Sequence, residues 1–400
     1  MAMKTIYDIQ FLKNQILNII NFYHPICIDK ERGGYINQLN DEGKITDRDT
    51  KHLVGTCRFI YNYAIASLLF ENQEYKECCN HGIEYLIKNH CKSNGGYSWI
   101  LDKDGVKDAT LHCYGHAFVL LAFSISNKVN SNKHIHLVYE IFNYIENTFW
   151  DFESKLYVDE IDPIDTTKKS PYRGQNANMH MCEALLVAYE VTNDTKFFNR
   201  AYTLSDRICN DLTIDTEGFI WEHYDQNWNI DWSYNIKNKK DLFRPYGFLS
   251  GHFFEWSKLL LKINKITKKK WLEEKAIFLY DNAMKICWDP NNIGLNYSFD
   301  QNNNIIDQDR YYWVIAEAIV ASSLLANLSG KEKYLIWYNK FWEYSIKYFI
   351  DYKYGGWFRI LNNKNIKYDN YKSPPAKTDY HPLSACFEII NDLNKINPNV

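Results

Sequence analysis

The chain has 400 residues, 46% apolar, 16% aromatic and 24% charged, a composition that excludes disorder and supplies a sizeable core. A formal net charge of -3 leaves no basic field for a nucleic-acid backbone, and the lysine run KITKKKWLEEK at 265–275 is followed at once by acids. No run approaches the roughly 18 apolar residues of a membrane span, and the N-terminal MAMKTIYDIQFLKNQILNII is interrupted by Asp8, Gln10, Lys13 and Asn14, unlike a signal peptide. A cytoplasmic protein with neither a membrane nor a nucleic-acid partner is expected.

In chain order, hairpin-like stretches alternate with pairs of helical ones. A helix over about 8–22 is followed by GGYINQLNDEG at 33–43, where a glycine pair, an alternating run and an acidic turn spell a β-hairpin. The next two segments differ in kind. Residues 52–70 are apolar almost all round, as in buried helices, whereas 74–90 carry their charges on one side, as in solvent-facing ones. GGYSWILDKDG at 95–105 then leads into helices at 112–125 and 134–149, and a weaker copy, KLYVDEID from Lys155, into 178–191 and 196–211. EGFIWEHYDQN at 217–227 precedes 251–263 and 271–287, and NIGLNYSFDQN at 292–302 precedes 310–327 and 332–349. YGGWFRILNNKN at 354–365 precedes a last helix at 381–393. With Gly34, Gly96, Leu156, Gly218, Gly294 and Gly356 as markers, the steps are 62, 60, 62, 76 and 62 residues.

A repeat running from Gly34 to Gly356 argues for one continuous domain over 1–400. Six helical hairpins in series, inner alternating with outer, can close into a toroid or remain an open solenoid. Six units of this size with a hairpin in each favour closure, an all-α (α/α)6 barrel with six short β-hairpins on the rim where the inner helices begin. The ten cysteines, mostly inside helical patterns and without CxxC spacing, read as reduced core residues.

In that layout, residues near the starts of inner helices converge on one cavity. These are Arg58; Tyr114 and His116 in HCYGHAFVLLA; Asn176 and His180 in RGQNANMHMCEALLVAYE; and His252 and Glu255 in RPYGFLSGHFFEWSKLL. Trp313 and Glu317 in RYYWVIAEAIVAS, and Asp379 and His381 in KTDYHPLSACFEI, complete the set. Polar groups in apolar helices are costly unless partnered, so their clustering marks a site. His252 and His381 stand at equivalent points of different repeats, and Glu255, three residues beyond His252 on the same face, is placed to orient its imidazole. His116 fits a hydrogen-bonded core residue as well as a site residue. Trp313 fits core packing as well as stacking on a sugar ring, and Arg58 reads as a ligand or a carboxylate clamp. His24, His81, His90, His134 and His136 are expected at the surface. There is no HExxH, Cys/His, P-loop or GxGxxG signature, so no metal and no nucleotide cofactor is expected.

At YGHAFVLLA, NANMHMCEALLVAYE, GHFFEW, YYWVIAEA and TDYH the chain closely resembles the N-acylglucosamine 2-epimerase family, which includes sugar 2-epimerases and mannose isomerases. The resemblance spans GGYINQLNDEGKITDRDTKHLVGTCRF to KTDYHPLSACFE. It implies the (α/α)6 barrel, no cofactor, and a monosaccharide substrate. It casts His252 and His381 as the catalytic acid/base pair, and Arg58, Asn176, His180, Glu255, Trp313 and Glu317 as residues that bind or orient an open-chain sugar. The implied chemistry is proton transfer beside a carbonyl through a cis-enediolate, to which histidine is suited near neutral pH. HLVGTCRF, RGQNANMHM and KTDYHP look most like mannose isomerases and mannose 2-epimerases. KHLVGTCR replaces the tryptophan-rich lead into the second helix of many N-acylglucosamine epimerases, which argues against an N-acetyl sugar. Mannose–fructose isomerisation is the expected activity and 2-epimerisation the runner-up. An (α/α)6 glycoside hydrolase using Glu255, Glu317 and Asp379 would leave both histidines idle. The sequence does not choose between a monomer and a homodimer.

Overall fold

The computed structural model describes residues 8–396. In chain order its α-helices are α1 Ile9–Tyr23, α2 Leu53–Phe70, α3 Gln73–Tyr85, α4 Cys113–Val129, α5 Ile135–Thr148 and α6 Gln175–Thr192. They continue with α7 Thr195–Cys209, α8 Ser250–Thr267, α9 Lys270–Cys287, α10 Tyr312–Ser329, α11 Glu332–Tyr348 and α12 Tyr380–Ile396. Even-numbered helices form an inner ring in which α2 packs on α4, then α6, α8, α10 and α12, and α12 returns to α2. Odd-numbered helices lie outside them, so the fold is the expected (α/α)6 barrel.

Hydrophobic burial sorts the two rings. An inner helix is covered on every side, and in α2 every residue from Leu53 to Ser67 is buried. An outer helix needs only one apolar stripe, which in α7 is Phe197, Ala201, Leu204, Ser205, Ile208 and Cys209. By length and composition α2 and α10 could cross a membrane, but both belong to the inner ring and are largely buried within the barrel. All ten cysteines are free, and all but Cys91 are buried. His90, expected at the surface, is instead fully buried, its Nδ1 donating to Ser98 O at 2.9 Å.

The rim is more connected than six separate hairpins. Each short strand leading into an inner helix pairs antiparallel with the hairpin of the next repeat: His52 with Ile100, His112 with Glu160, Gly174 with His223, Leu249 with Ser298, and Tyr311 with Ile360. A sixth pairing, Ser373 with Leu39, joins the last strand to the first hairpin and closes the cycle. The same contacts cap helices. The first N–H of α2, α4, α6, α8 and α10 donates to Trp99 O, Asp159 O, Glu222 O, Tyr297 O and Arg359 O, at 2.8–3.3 Å. Helices α4, α6, α8 and α10 have no side-chain cap, so these carbonyls satisfy donors that would otherwise be orphaned. The long step of 76 residues is an insertion. After His223–Tyr224 the fourth hairpin has only an isolated bridge, Tyr224 to Ile230, and the chain then loops over the rim, with Leu242 and Phe243 on its exposed part.

A second device recurs where outer helices end. Asp29, Asp289 and Asp351 each accept two backbone N–H groups of the following turn. Each also takes a buried cation from the strand that leads into the next inner helix: Lys51 at 2.7 Å, Arg310 at 2.9 Å and Lys372 at 2.6 Å. Replacing Lys51 with methionine would leave the buried Asp29 carboxylate only the half-exposed Arg48 guanidinium at 3.8 Å, and a loss of about 3 kcal/mol is expected. Urea unfolding of Lys51→Met checks this, and adding Asp29→Asn is expected to recover most of the loss.

Candidate active site

The starts of the inner helices enclose one cavity, whose polar wall is Arg58, Tyr114, Asn176, His180, His252, Glu255, Lys377 and His381, with Trp313 and Tyr297 as its aromatic faces. Leu242, Phe243 and Pro245 of the inserted loop cover it.

His381 lies in the first turn of α12 and is 3% exposed. Its Nδ1 donates to Glu317 Oε1 at 2.8 Å, which fixes the tautomer and leaves Nε2 as the acceptor facing Arg58 Nη2 at 3.5 Å. Burial, then Arg58, Lys377, His180 and Lys258, hold its imidazolium form well below the usual histidine range. Burial therefore favours the neutral imidazole of His381 at the cavity wall.

His252 follows the same design with a different carboxylate. Its Nδ1 donates to Glu222 Oε1 at 2.9 Å. Gln175 Nε2 donates to the other Glu222 oxygen at 2.8 Å, and the Gln175 carbonyl accepts Trp256 Nε1 at 2.7 Å, which orients the amide. Trp313 packs against both histidines, its ring 5.3 Å from that of His252 and 5.6 Å from that of His381. Gly251 makes room for it, since a Cβ there would stand 2.3 Å from the indole.

His180 forms a third imidazole–carboxylate pair, Nδ1 to Glu183 Oε2 at 3.1 Å, and burial pulls it down to about 4. Glu255 faces His180 at 3.7 Å rather than His252, so the orienting role expected for it belongs to Glu222 instead. Both Glu255 oxygens lack a hydrogen-bond partner among the described residues. Burial and the Glu317 charge push its carboxyl well above the usual range, which favours the protonated form. Arg58 is no carboxylate clamp. Its guanidinium donates to Ala376 O at 2.7 Å and Tyr114 Oη at 3.2 Å, over the Phe118 and Tyr380 rings. The Asn176 Oδ1 has no hydrogen-bond partner among the described residues at the cavity wall.

Two expected site residues lie elsewhere. His116 donates from Nδ1 to His112 O at 2.7 Å and accepts Tyr97 N–H on Nε2 at 3.1 Å, so the hairpin backbone consumes both ring nitrogens. Asp379 accepts Trp357 N–H at 3.1 Å, tying the start of α12 to the Gly355–Gly356 turn, where a Cβ on Gly356 would stand 2.7 Å from its carboxylate. Glu317 stands behind His381 and is a positioning residue, not a wall of the cavity. Glu222, Gln175, Glu183, Lys258, Tyr297 and Lys377 escaped sequence reasoning. Glu183 had a signal, since it follows His180 at the same spacing as Glu255 follows His252. Glu222 occupies the hairpin position whose carbonyl caps the preceding inner helix, α6, but nothing local singles out its side chain.

Two buried groups bring possible metal ligands within 4.8 Å of one another: His180, Glu183 and Glu255, and Glu255, Glu317 and His381. In each, the histidine Nδ1 is already paired with a carboxylate, and Lys258 reaches Glu183 and Glu317 from behind. The positive charge an ion would bring is thus supplied by the protein. A larger cavity at the opposite end of the barrel, lined by Lys128, Glu190, Lys262, Lys265, Glu388 and Asp392 among others, contains none of these histidines.

The family model described as N-acylglucosamine 2-epimerase (GlcNAc 2-epimerase) matches residues 34–385. The chain is 42% identical over 384 residues to a D-mannose isomerase of Marinomonas mediterranea, covering 96% of this chain and 97% of that protein. A crystal structure of D-mannose isomerase superposes with a TM-score of 0.94 at 41% identity, covering 98% of this chain and all of the other. The cellobiose 2-epimerase of Bacillus thermoamylovorans, at 21% identity and a TM-score of 0.84 over 96% of this chain and all of that one, shares the fold. With a match over most of its length and these relatives, the chain belongs to the N-acylglucosamine 2-epimerase family.

Proposed function

We propose that the protein is an aldose–ketose isomerase that interconverts D-mannose and D-fructose by histidine acid/base catalysis through a cis-enediolate. The observation that carries this is the pair His381 and His252, each held through Nδ1 by a buried carboxylate and each keeping Nε2 for one shared cavity. The 42% identity to a protein named D-mannose isomerase selects the sugar.

With the open-chain aldose bound, the neutral Nε2 of His381 takes the proton from carbon 2. The C–H electron pair forms the C1–C2 double bond, and the charge passes to O1. Arg58, beside Nε2, and the neutral Glu255 carboxyl stabilise the enediolate oxygens. The hydroxyl proton moves from O2 to O1, and His381 returns its proton to carbon 1 to give the ketose. His252, against the Trp313 ring, serves ring opening, while Asn176, His180 and Tyr114 hold the hydroxyl groups. No metal takes part. All ten free thiols support a cytoplasmic setting.

A second reading is 2-epimerisation, favoured by the two imidazoles packed against Trp313. A proton returned by His252 to the opposite face of carbon 2 would yield the epimer. A glycoside hydrolase lacks its pair of free carboxylates, because both Glu317 oxygens are engaged by His381 and Lys258 and Asp379 serves the Trp357 backbone.

Carbon-13 NMR of D-mannose with EDTA-treated protein is expected to show fructose as the first product, whereas glucose appearing before fructose would establish the epimerase. His381→Ala and His252→Ala are expected to lower kcat by about 100- to 10,000-fold with circular dichroism unchanged. A folded variant with a near-normal rate would remove that histidine from the mechanism. Because the base acts deprotonated and burial depresses His381, kcat/KM is expected to stay level as the pH falls through about 6.5 and to drop only below it. A pH–rate profile reads this directly.

A further inference from the structure

Lys258 of α8 lies inside the barrel behind the cavity wall, and no step of the proton-transfer scheme uses it. It is 1% exposed, with its ammonium 2.8 Å from Glu317 Oε2, 3.4 Å from Glu183 Oε1 and 3.6 Å from Glu388 Oε1. The remaining oxygens of Glu317 and Glu183 are the ones that accept from His381 and His180. A single cation thus grips, from behind, both carboxylates that aim imidazoles into the cavity. We infer that Lys258 is a positioning residue that couples the His381–Glu317 and His180–Glu183 pairs and sets how many protons they share, an inference that rests on the isomerase reading.

Charge makes the role necessary. Glu183, Glu317 and Glu388 converge at the barrel axis with Glu255 beside them, and buried carboxylates this close cannot all ionise without a counterion. Lys262 neutralises Glu388 at 3.3 Å, which leaves Lys258 as the counterion of the other two. Burial already raises the Glu317 carboxyl, and Lys258 is the chief influence opposing it.

The groups facing His381 are Arg58 from α2, His180 from α6, Lys258 and Glu255 from α8, and Glu317 from α10, with Lys377 preceding its own helix. Removing Lys258 deletes a positive charge from this set. The His381–Glu317 pair then holds an extra proton to a higher pH, whichever partner carries it. The catalytic form needs only the proton on Nδ1, so the acid limb of kcat/KM must move upward.

The test uses full-length Lys258→Met and Lys258→Arg, with kcat and KM for D-mannose across the pH range and nitrogen-15 NMR titration of the His381 ring. Lys258→Met is expected to lower kcat roughly 10- to 100-fold, with little change in KM, and to raise the acid limb and the ring titration by about one pH unit. Lys258→Arg is expected to restore the limb. A folded Lys258→Met with wild-type kcat and limb would overturn the inference, as would equal losses in both variants with the limb unmoved, the mark of simple packing. If the methionine variant does not fold, Lys258→Gln, which keeps a donor without the charge, carries the same expectation and the same refutation. Wild-type protein inert toward D-mannose would defeat the proposed function instead, and the ring titration would still decide the coupling.

Discussion

A backbone hydrogen bond, from the first N–H of an inner helix to the carbonyl of the next hairpin, is the contact on which the rest of the structure depends. Repeated from Leu53 to Trp99 through Tyr312 to Arg359, it pins the starts of five inner helices to one rim. The pairing of Ser373 with Leu39 closes that rim. Helices anchored at one end present their first turns to a common centre. There the aligned peptide dipoles favour the negative charge of an enediolate, and side chains from repeats far apart in sequence come within hydrogen-bonding distance.

Three imidazole–carboxylate pairs occupy that centre, and their burial makes the electrostatics decisive. In the His381–Glu317 pair burial makes the histidine lose its proton readily and the carboxylate gain one, so this pair can trade a single proton with little penalty. Arg58 and Lys258 add positive charge from opposite sides, one beside the reacting nitrogen and one behind the carboxylates. The site is thereby preorganised to take a carbon-bound proton and return it to a neighbouring carbon.

The ring architecture was legible because burial leaves a periodic trace. Residues 52–70 are apolar all round and 196–211 are apolar on one stripe, and six such pairs with a hairpin in each favour closure over an open solenoid. His252 and His381 were legible as polar residues at equivalent helix starts. His116 and Asp379 look the same in sequence but are consumed by the Tyr97 and Trp357 backbones, contacts made by hairpins outside their own helices. Helical spacing alone pairs Glu255 with His252, yet side-chain direction turns it toward His180.

By itself the sequence determined the repeat, the two kinds of helix, the closed barrel and the end at which chemistry collects, because these follow from local periodicity and from where glycine-bearing turns fall. Which carboxylate holds which histidine was decided only by the tertiary structure. Glu222 meets His252 across a hairpin and Glu317 meets His381 across the ring. Lys258 joins helices α6, α8, α10 and α12 at the axis. Such partners are selected by distance and buried charge in three dimensions, and neither leaves a period in the chain.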